Sequence, residues 1–283
     1  MLPVSSGELY GQIASSARLR TSLGAPMSSE GRSERTPWSG IVIRVFMDES
    51  GVHSGARAVT SSAVWARPSV WKQWTNDWVW SKRPINVFHA VDCHNRKGEF
   101  EGWSREERDA VVLRLLPLFP KHRICGRFSG IHLKAYGLAM KDCDEISDKF
   151  GEPYFACVYW TFKKIFEAVS RSNSRKIEII HESGDFHKEI LEAFEFVKTK
   201  FPDIESTLEF GTKAEYVPLQ AADLVAYEGF KYLDNGSAPR KPMRALDPTG
   251  KRMFLSVYDI DTAWQLAELV KDQVGALIRK SSY

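Results

Sequence analysis

Asp48, Glu182 and Asp223 stand where a carboxylate is hard to keep. Asp48 falls near the end of IVIRVFMDESG, Ile41 to Gly51, and Glu182 near the end of KIEIIHESG, Lys176 to Gly184. Each run is rich in β-branched and apolar residues and closes on an acid and a Ser-Gly turn, so each reads as a buried strand that delivers its acid to the end of a sheet. Asp223 lies inside PLQAADLVAYEGFKYL, flanked by Ala221, Ala222 and Leu224, a stretch that suits a helix packed closely on that sheet. Burying a carboxylate is costly unless it is paired or bound to a metal. Three that converge repel one another unless divalent cations neutralise them. Carboxylates alone select hard ions, Mg²⁺ or Mn²⁺, over zinc, which prefers His and Cys. The bland readings are a solvated acidic turn at Asp48 and Glu49, and a core salt bridge or capping bond at Asp223.

A second group of polar residues, His89, Asp92 and His94, clusters within reach of a metal or a substrate. A histidine beside Phe88 is equally a structural hydrogen-bonding residue. Gln220, three residues before Asp223, either orients a metal-bound water or hydrogen-bonds a loop.

The elements that must position these groups follow from the patterning. After the first strand and a turn over 49–55, Ala56 to Trp65 reads as its antiparallel partner. Pro68 opens a helix whose Trp71, Trp74 and Trp78 recur at helical spacing and face the core. Asn86 to Asp92 reads as an extended piece leading into a loop from Cys93 to Trp103. Ser104 and Glu107 form a capping box that starts a helix, ended by Pro117 and Pro120. Arg123 to His132 is a strand weakened by its two glycines. Pro153 to Ser170 is a long helix with one buried face. Asp185 to Phe201 is a further helix, Ser206 to Phe210 a short strand, and the run from Pro218 the helix that bears Asp223. Ala238 to Lys251 reads as a loop, Met253 to Tyr258 as an edge strand, and Asp261 to Lys280 as an amphipathic helical extension. Residues 1 to 40, rich in Ser and Gly, read as a flexible leader to one domain over 41–283.

The whole chain has 283 residues, 43% of them hydrophobic and nine of them Trp, enough for a sizeable core. A formal charge of +3 permits a nucleic-acid partner without requiring one. The four cysteines are spaced too widely for a zinc motif and are too few for a disulfide scaffold, so they read as reduced thiols in a cytoplasmic protein. No apolar run has the length of a membrane span, and the first residues lack a secretory pattern. There is no G-x-S-x-G, phosphate-binding G-x-x-x-x-G-K-[ST] or H-E-x-x-H sequence, which leaves serine hydrolase, P-loop and zinc-protease readings without support.

The D-E-S-G of Asp48 to Gly51, together with the L-Q-A-A-D-L of Leu219 to Leu224, resembles a bacterial and phage family of domains of unknown function thought to have an RNase H-like fold. The resemblance spans about residues 41 to 235. It implies an α/β fold: a mixed sheet with antiparallel first strands and later parallel strands, flanked by helices. Asp48 matches the first-strand Asp of the RNase H-like superfamily, Glu182 the later-strand acid and Asp223 the acid of the C-terminal helix. The superfamily's usual fourth acid has no clear match, and Glu49 and Asp92 are the candidates. The mechanism implied is hydrolysis of a phosphodiester in DNA or RNA by two Mg²⁺ or Mn²⁺ ions about 4 Å apart. Lys213, Arg240, Lys241 and Arg244 are then candidates for backbone phosphates, against a plain solvated surface, and His89 and Gln220 for other substrate contacts. Two alternatives stand beside the nuclease: a nucleic-acid- or protein-binding module on the same fold without turnover, and a metal-free hydrolase using paired carboxylates.

Overall fold

Strand β1, Val42–Ser50, runs through the interior of a six-stranded mixed sheet in the order β5-β4-β1-β2-β3-β6. The computed structural model describes residues 41–140, 148–172, 174–235, 240–246 and 253–258. The remaining strands are β2 (Ala58–Ala66), β3 (Cys125–His132), β4 (Lys176–Glu182), β5 (Glu205–Gly211) and β6 (Met253–Tyr258). The helices are α1 (Pro68–Ser81), α2 (Ala90–Asn95), α3 (Arg105–Leu115), α4 (Leu118–Lys121), α5 (Leu133–Met140), α6 (Asp148–Gly151), α7 (Pro153–Ser170), α8 (His187–Lys198), α9 (Leu219–Asp234) and α10 (Lys241–Leu246). Strands β1, β2 and β3 pair antiparallel, whereas β4 runs parallel to β1 and β5 parallel to β4. This is the layout implied by the RNase H-like resemblance, with β6 added parallel at the β3 edge.

The period of two along β1 and β4 divides their side chains between two cores. Val45, Met47, Ile177 and Ile179 pack on the side of α7 and α8 with Phe162, Ile165 and Phe194. Phe46 and Ile180 pack on the opposite side with Trp71, Trp74 and Trp78 of α1 and Ala221 and Ala222 of α9. The tryptophans are core, as their spacing predicts: Trp74 and Trp78 stack at 4.5 Å and both are fully buried.

Helix α9 lies close against the sheet because small residues face it. A Cβ on Gly229 would come within 2.6 Å of the Phe128 ring, so only glycine allows this approach. The Ser62 and Thr60 hydroxyls of β2 donate to the Ala222 and Ala226 carbonyls at 2.7 and 3.0 Å, which fixes the helix along β2. The register of α9 against β1, and with it the place of Asp223, follows.

Most element expectations hold, including the Ser104–Glu107 capping box and the β6 edge strand. Two differ. The stretch read as extended piece and loop contains α2 and a 3-10 turn at Gly98–Phe100, and the loop predicted over 238–251 contains α10. Both helices have six residues, too few to repeat an apolar face. The leader over 1–40 and the helix over 261–280 lie outside the described residues. Among the described residues no helix is long and apolar enough to cross a membrane.

Candidate active site

The acids of β1, β4 and α9 meet at the floor of a cleft of about 380 Å³ lined by Asp48, Glu49, Glu182, Lys213 and Asp223 together with His53, His89, His94 and Lys231. Parallel pairing sets Met47 beside His181, so Asp48 and Glu182 follow at adjacent strand ends and point to the α9 side. Asp223, in the first half of α9, approaches from above. Three positions distant in sequence converge because one helix is held in register on two strands.

At their centre is a cation that sequence reasoning placed elsewhere. Lys213 follows β5 in a turn closed by Tyr216 N–H on the Thr212 carbonyl and by Glu215 on the Thr212 N–H and hydroxyl. Its Nζ lies 3.0 Å from Asp48 Oδ2 and 3.7 Å from Asp223 Oδ1, and it donates a short hydrogen bond to Glu182 Oε2. Lys213 is only 5% exposed. Lys213, expected to contact backbone phosphates, instead has its ammonium committed to three carboxylates. The remaining oxygens are partly satisfied by backbone, with Glu49 N–H donating to Asp48 Oδ1 at 2.7 Å and Ala90 N–H, at the start of α2, to Asp223 Oδ2 at 2.6 Å.

The electrostatics follow from crowding. Burial pushes the Asp48 carboxyl well above the usual range, the Lys213 charge opposes this, and the Asp223 and Glu182 charges add to it. Asp223 is raised for the same first reason, against Lys213. Burial acts on Glu182 too, but a hydrogen bond with Asp48 and the Lys213 ammonium outweigh it and hold this carboxyl below its ordinary value. Lys213 is raised: burial disfavours its charge and the three carboxylates overcome that.

Glu49 belongs to the opposite side of β1. Its Oε2 lies 3.5 Å from Nε2 of His181, which is fully buried. Burial, then the Glu182 charge, raises the Glu49 carboxyl to about 7, with Lys213 and the Tyr154 hydroxyl pulling the other way. Burial lowers His181 to about 4. His181 was missed from sequence, although its place directly before Glu182 on a strand sets it back to back with the acid cluster.

The other expected residues separate. Asp92 lies on α2 with its carboxylate 3.9 Å from His89 Nδ1 and does not line the cleft floor, so of the two candidates for a fourth acid only Glu49 is at the site. His89 and His94 both line the cleft. Gln220 is fully buried, which corrects the expected substrate contact. Its Oε1 accepts from Trp78 Nε1 at 2.9 Å and Phe88 N–H at 3.1 Å, and its Nε2 donates to the Lys213 carbonyl at 2.9 Å. Of the two readings of Gln220, the loop bond is the one formed. Arg240 lies 3.5 Å from the buried Glu228 carboxylate; Lys241 and Arg244 are on α10.

The donor chemistry of the floor fits a hard divalent cation: it is all carboxylate, buried, and carries more acids than bases. The arrangement is closed, because the ammonium takes the place among the acids. Among the described residues no three His, Cys, Asp or Glu side chains stand close enough together to hold a metal ion. Burial pushes the Cys93 thiol up to about 12.

Among solved structures, the chain is similar to Bst-RNase HIII in complex with Mn²⁺, at 14% identity and a TM-score of 0.39 over 70% of this chain and 53% of that one. It is also similar to the PCNA:RNase HII complex from Archaeoglobus fulgidus, at 11% identity and a TM-score of 0.37 over 83% of this chain and 89% of that one. The chain thus spans about half the length of the first of these. No family model and no curated protein matches.

Proposed function

We propose that this protein is a metal-dependent nuclease that hydrolyses phosphodiester bonds in DNA or RNA. The observation that carries this reading is the convergence of Asp48, Glu182 and Asp223 on one point of a cleft floor. Asp48, Glu182 and Asp223 would hold Mg²⁺ or Mn²⁺, with Glu49 behind them. When bound, such ions activate a water and stabilise the leaving oxygen of an in-line displacement.

The chain's own residues do the rest. Asp48, Glu182 and Asp223 face one ammonium, that of Lys213, which offsets part of their mutual repulsion. Gln220 and the Thr212–Glu215 turn fix the backbone from which Lys213 reaches the acids. His53, His89, His94 and Lys231 line the mouth, where donors and positive charge meet a phosphate backbone.

The test is Mn²⁺ binding by calorimetry on the wild type and on Asp48→Asn, Glu182→Gln and Asp223→Asn. Binding by the wild type that is lost in all three variants supports one shared carboxylate site. Absence of binding in the wild type, with and without nucleic acid, removes the nuclease reading. A binding module without turnover is the second reading, and the Lys213 ammonium favours it by neutralising part of the cluster without any metal.

A further inference from the structure

We infer that Lys213 is a built-in competitor for the metal position, an internal cation that a divalent ion must displace before the site becomes active. The inference rests on the metal-dependent reading above. It concerns what the chain itself does with the site beforehand.

Three observations carry it. First, one ammonium contacts all three acids, 3.0 Å from Asp48, 3.7 Å from Asp223 and in a short hydrogen bond with Glu182, so it stands where an ion bridging those carboxylates would stand. Second, Asp48 Oδ2 is buried and makes no hydrogen bond, so its contact with Nζ is an ion pair alone. Third, the lysine is not needed there to anchor its loop. The backbone of that turn is held independently, through the Lys213 carbonyl on Gln220 Nε2 and the Thr212 groups on Glu215, so the side chain can swing while its Cα stays.

Charge decides the direction of exchange. Three carboxylates and one ammonium leave a net deficit of positive charge, which a divalent ion reduces further than the ammonium does. The cleft above is the open side, so a displaced Lys213 moves toward the position of the phosphate backbone. It thereby acquires the substrate contact its residue type suggests, after metal binding and because of it. The order of events is then metal, lysine release, substrate. A lysine simply buried for stability would instead stay among the acids while a metal bound elsewhere.

The test has two arms. In the first, Mn²⁺ affinity is measured by calorimetry on the wild type, Lys213→Met and Asp48→Asn. Competition requires Lys213→Met to bind at least about tenfold more tightly than the wild type, and Asp48→Asn to lose binding. In the second, needed in case Lys213→Met does not fold, the wild type is pulse-labelled with an amine-acylating reagent with and without saturating Mn²⁺, and modification of Lys213 is read by mass spectrometry. Displacement requires Lys213 to pass from protected to labelled on Mn²⁺ addition. Mn²⁺ binding by the wild type with unchanged or weaker affinity in a folded Lys213→Met, or with Lys213 still protected, overturns the competitor and leaves the nuclease reading standing. No Mn²⁺ binding by the wild type or by Lys213→Met overturns both.

Discussion

The ammonium of Lys213 lies 3.0 Å from the Asp48 carboxylate, and both side chains are almost completely buried. The two residues are 165 positions apart in the chain, and their contact joins the end of the first strand to the turn before the last described long helix. It makes the floor of the cleft both a stability element and a chemical one, and the expectations below follow from that dual character.

Removing the cation leaves three buried acids facing one another. In metal-free buffer with chelator, Lys213→Met is expected to lower unfolding stability by about 3 kcal/mol, the cost of stripping one partner from a buried ion pair. Adding Asp48→Asn to that variant should restore part of the loss. Urea unfolding followed by tryptophan fluorescence measures both, and a Lys213→Met protein as stable as the wild type would refute the role of this ammonium in the fold.

Glu49 gives a pH dependence with a definite sign. Its carboxyl is raised in the folded protein from the ordinary 4.5 to about 7, so the neutral form is the one the fold favours. The stability it contributes is complete below pH 4.5 and is lost as pH rises toward 7, by about 3 kcal/mol over that window. Glu49→Gln should therefore gain on the wild type by about that amount between pH 4.5 and 7 in chelator. A difference between the two proteins that stays flat across the window would contradict the burial argument.

Gln220 tests positioning apart from contact. Gln220→Leu strands the Trp78 indole N–H and the Phe88 N–H and frees the Lys213 carbonyl. Each buried donor left unpaired costs about 1–3 kcal/mol, so a loss of about 3 kcal/mol is expected. The Trp78 environment should change in near-ultraviolet circular dichroism. A variant of wild-type stability would show that these three bonds are not what holds the turn.

Lys231 in the cleft lining tests the path of the nucleic acid. Lys231→Ala should weaken binding about equally for all sequences and reduce the slope of log affinity against log salt by about 0.7–0.9, the share of one phosphate contact. An unchanged slope would take the nucleic acid away from this wall of the cleft.

Much of this arrangement is legible in the residues. The two acid-Ser-Gly strand ends, the β-branched and apolar run of β1, the capping box at Ser104 and the small residues around Asp223 each declare a local structure that survives in the fold. Lys213 was not legible as part of the floor. Lysines in polar turns are ordinarily solvated, and this one is buried only because α9 and two strand ends close over it. Asp92 misled for the opposite reason: it is near His89 and His94 in sequence, but α2 carries it away from the floor while the backbone of that same helix caps Asp223. His181 was hidden by the period of two, which turns it away from the Glu182 it adjoins.

The most direct test is cleavage. Purified protein is incubated with end-labelled single-stranded and duplex DNA and RNA and an RNA–DNA hybrid, in Mn²⁺, Mg²⁺ or EDTA, beside Asp48→Asn. The wild type should cut at least one of these substrates with either ion, with activity abolished by EDTA and reduced at least about a hundredfold in Asp48→Asn, a loss of some 2.7 kcal/mol in transition-state stabilisation. Intact substrates throughout, or cleavage that persists in EDTA or in Asp48→Asn, would contradict a carboxylate-held metal nuclease.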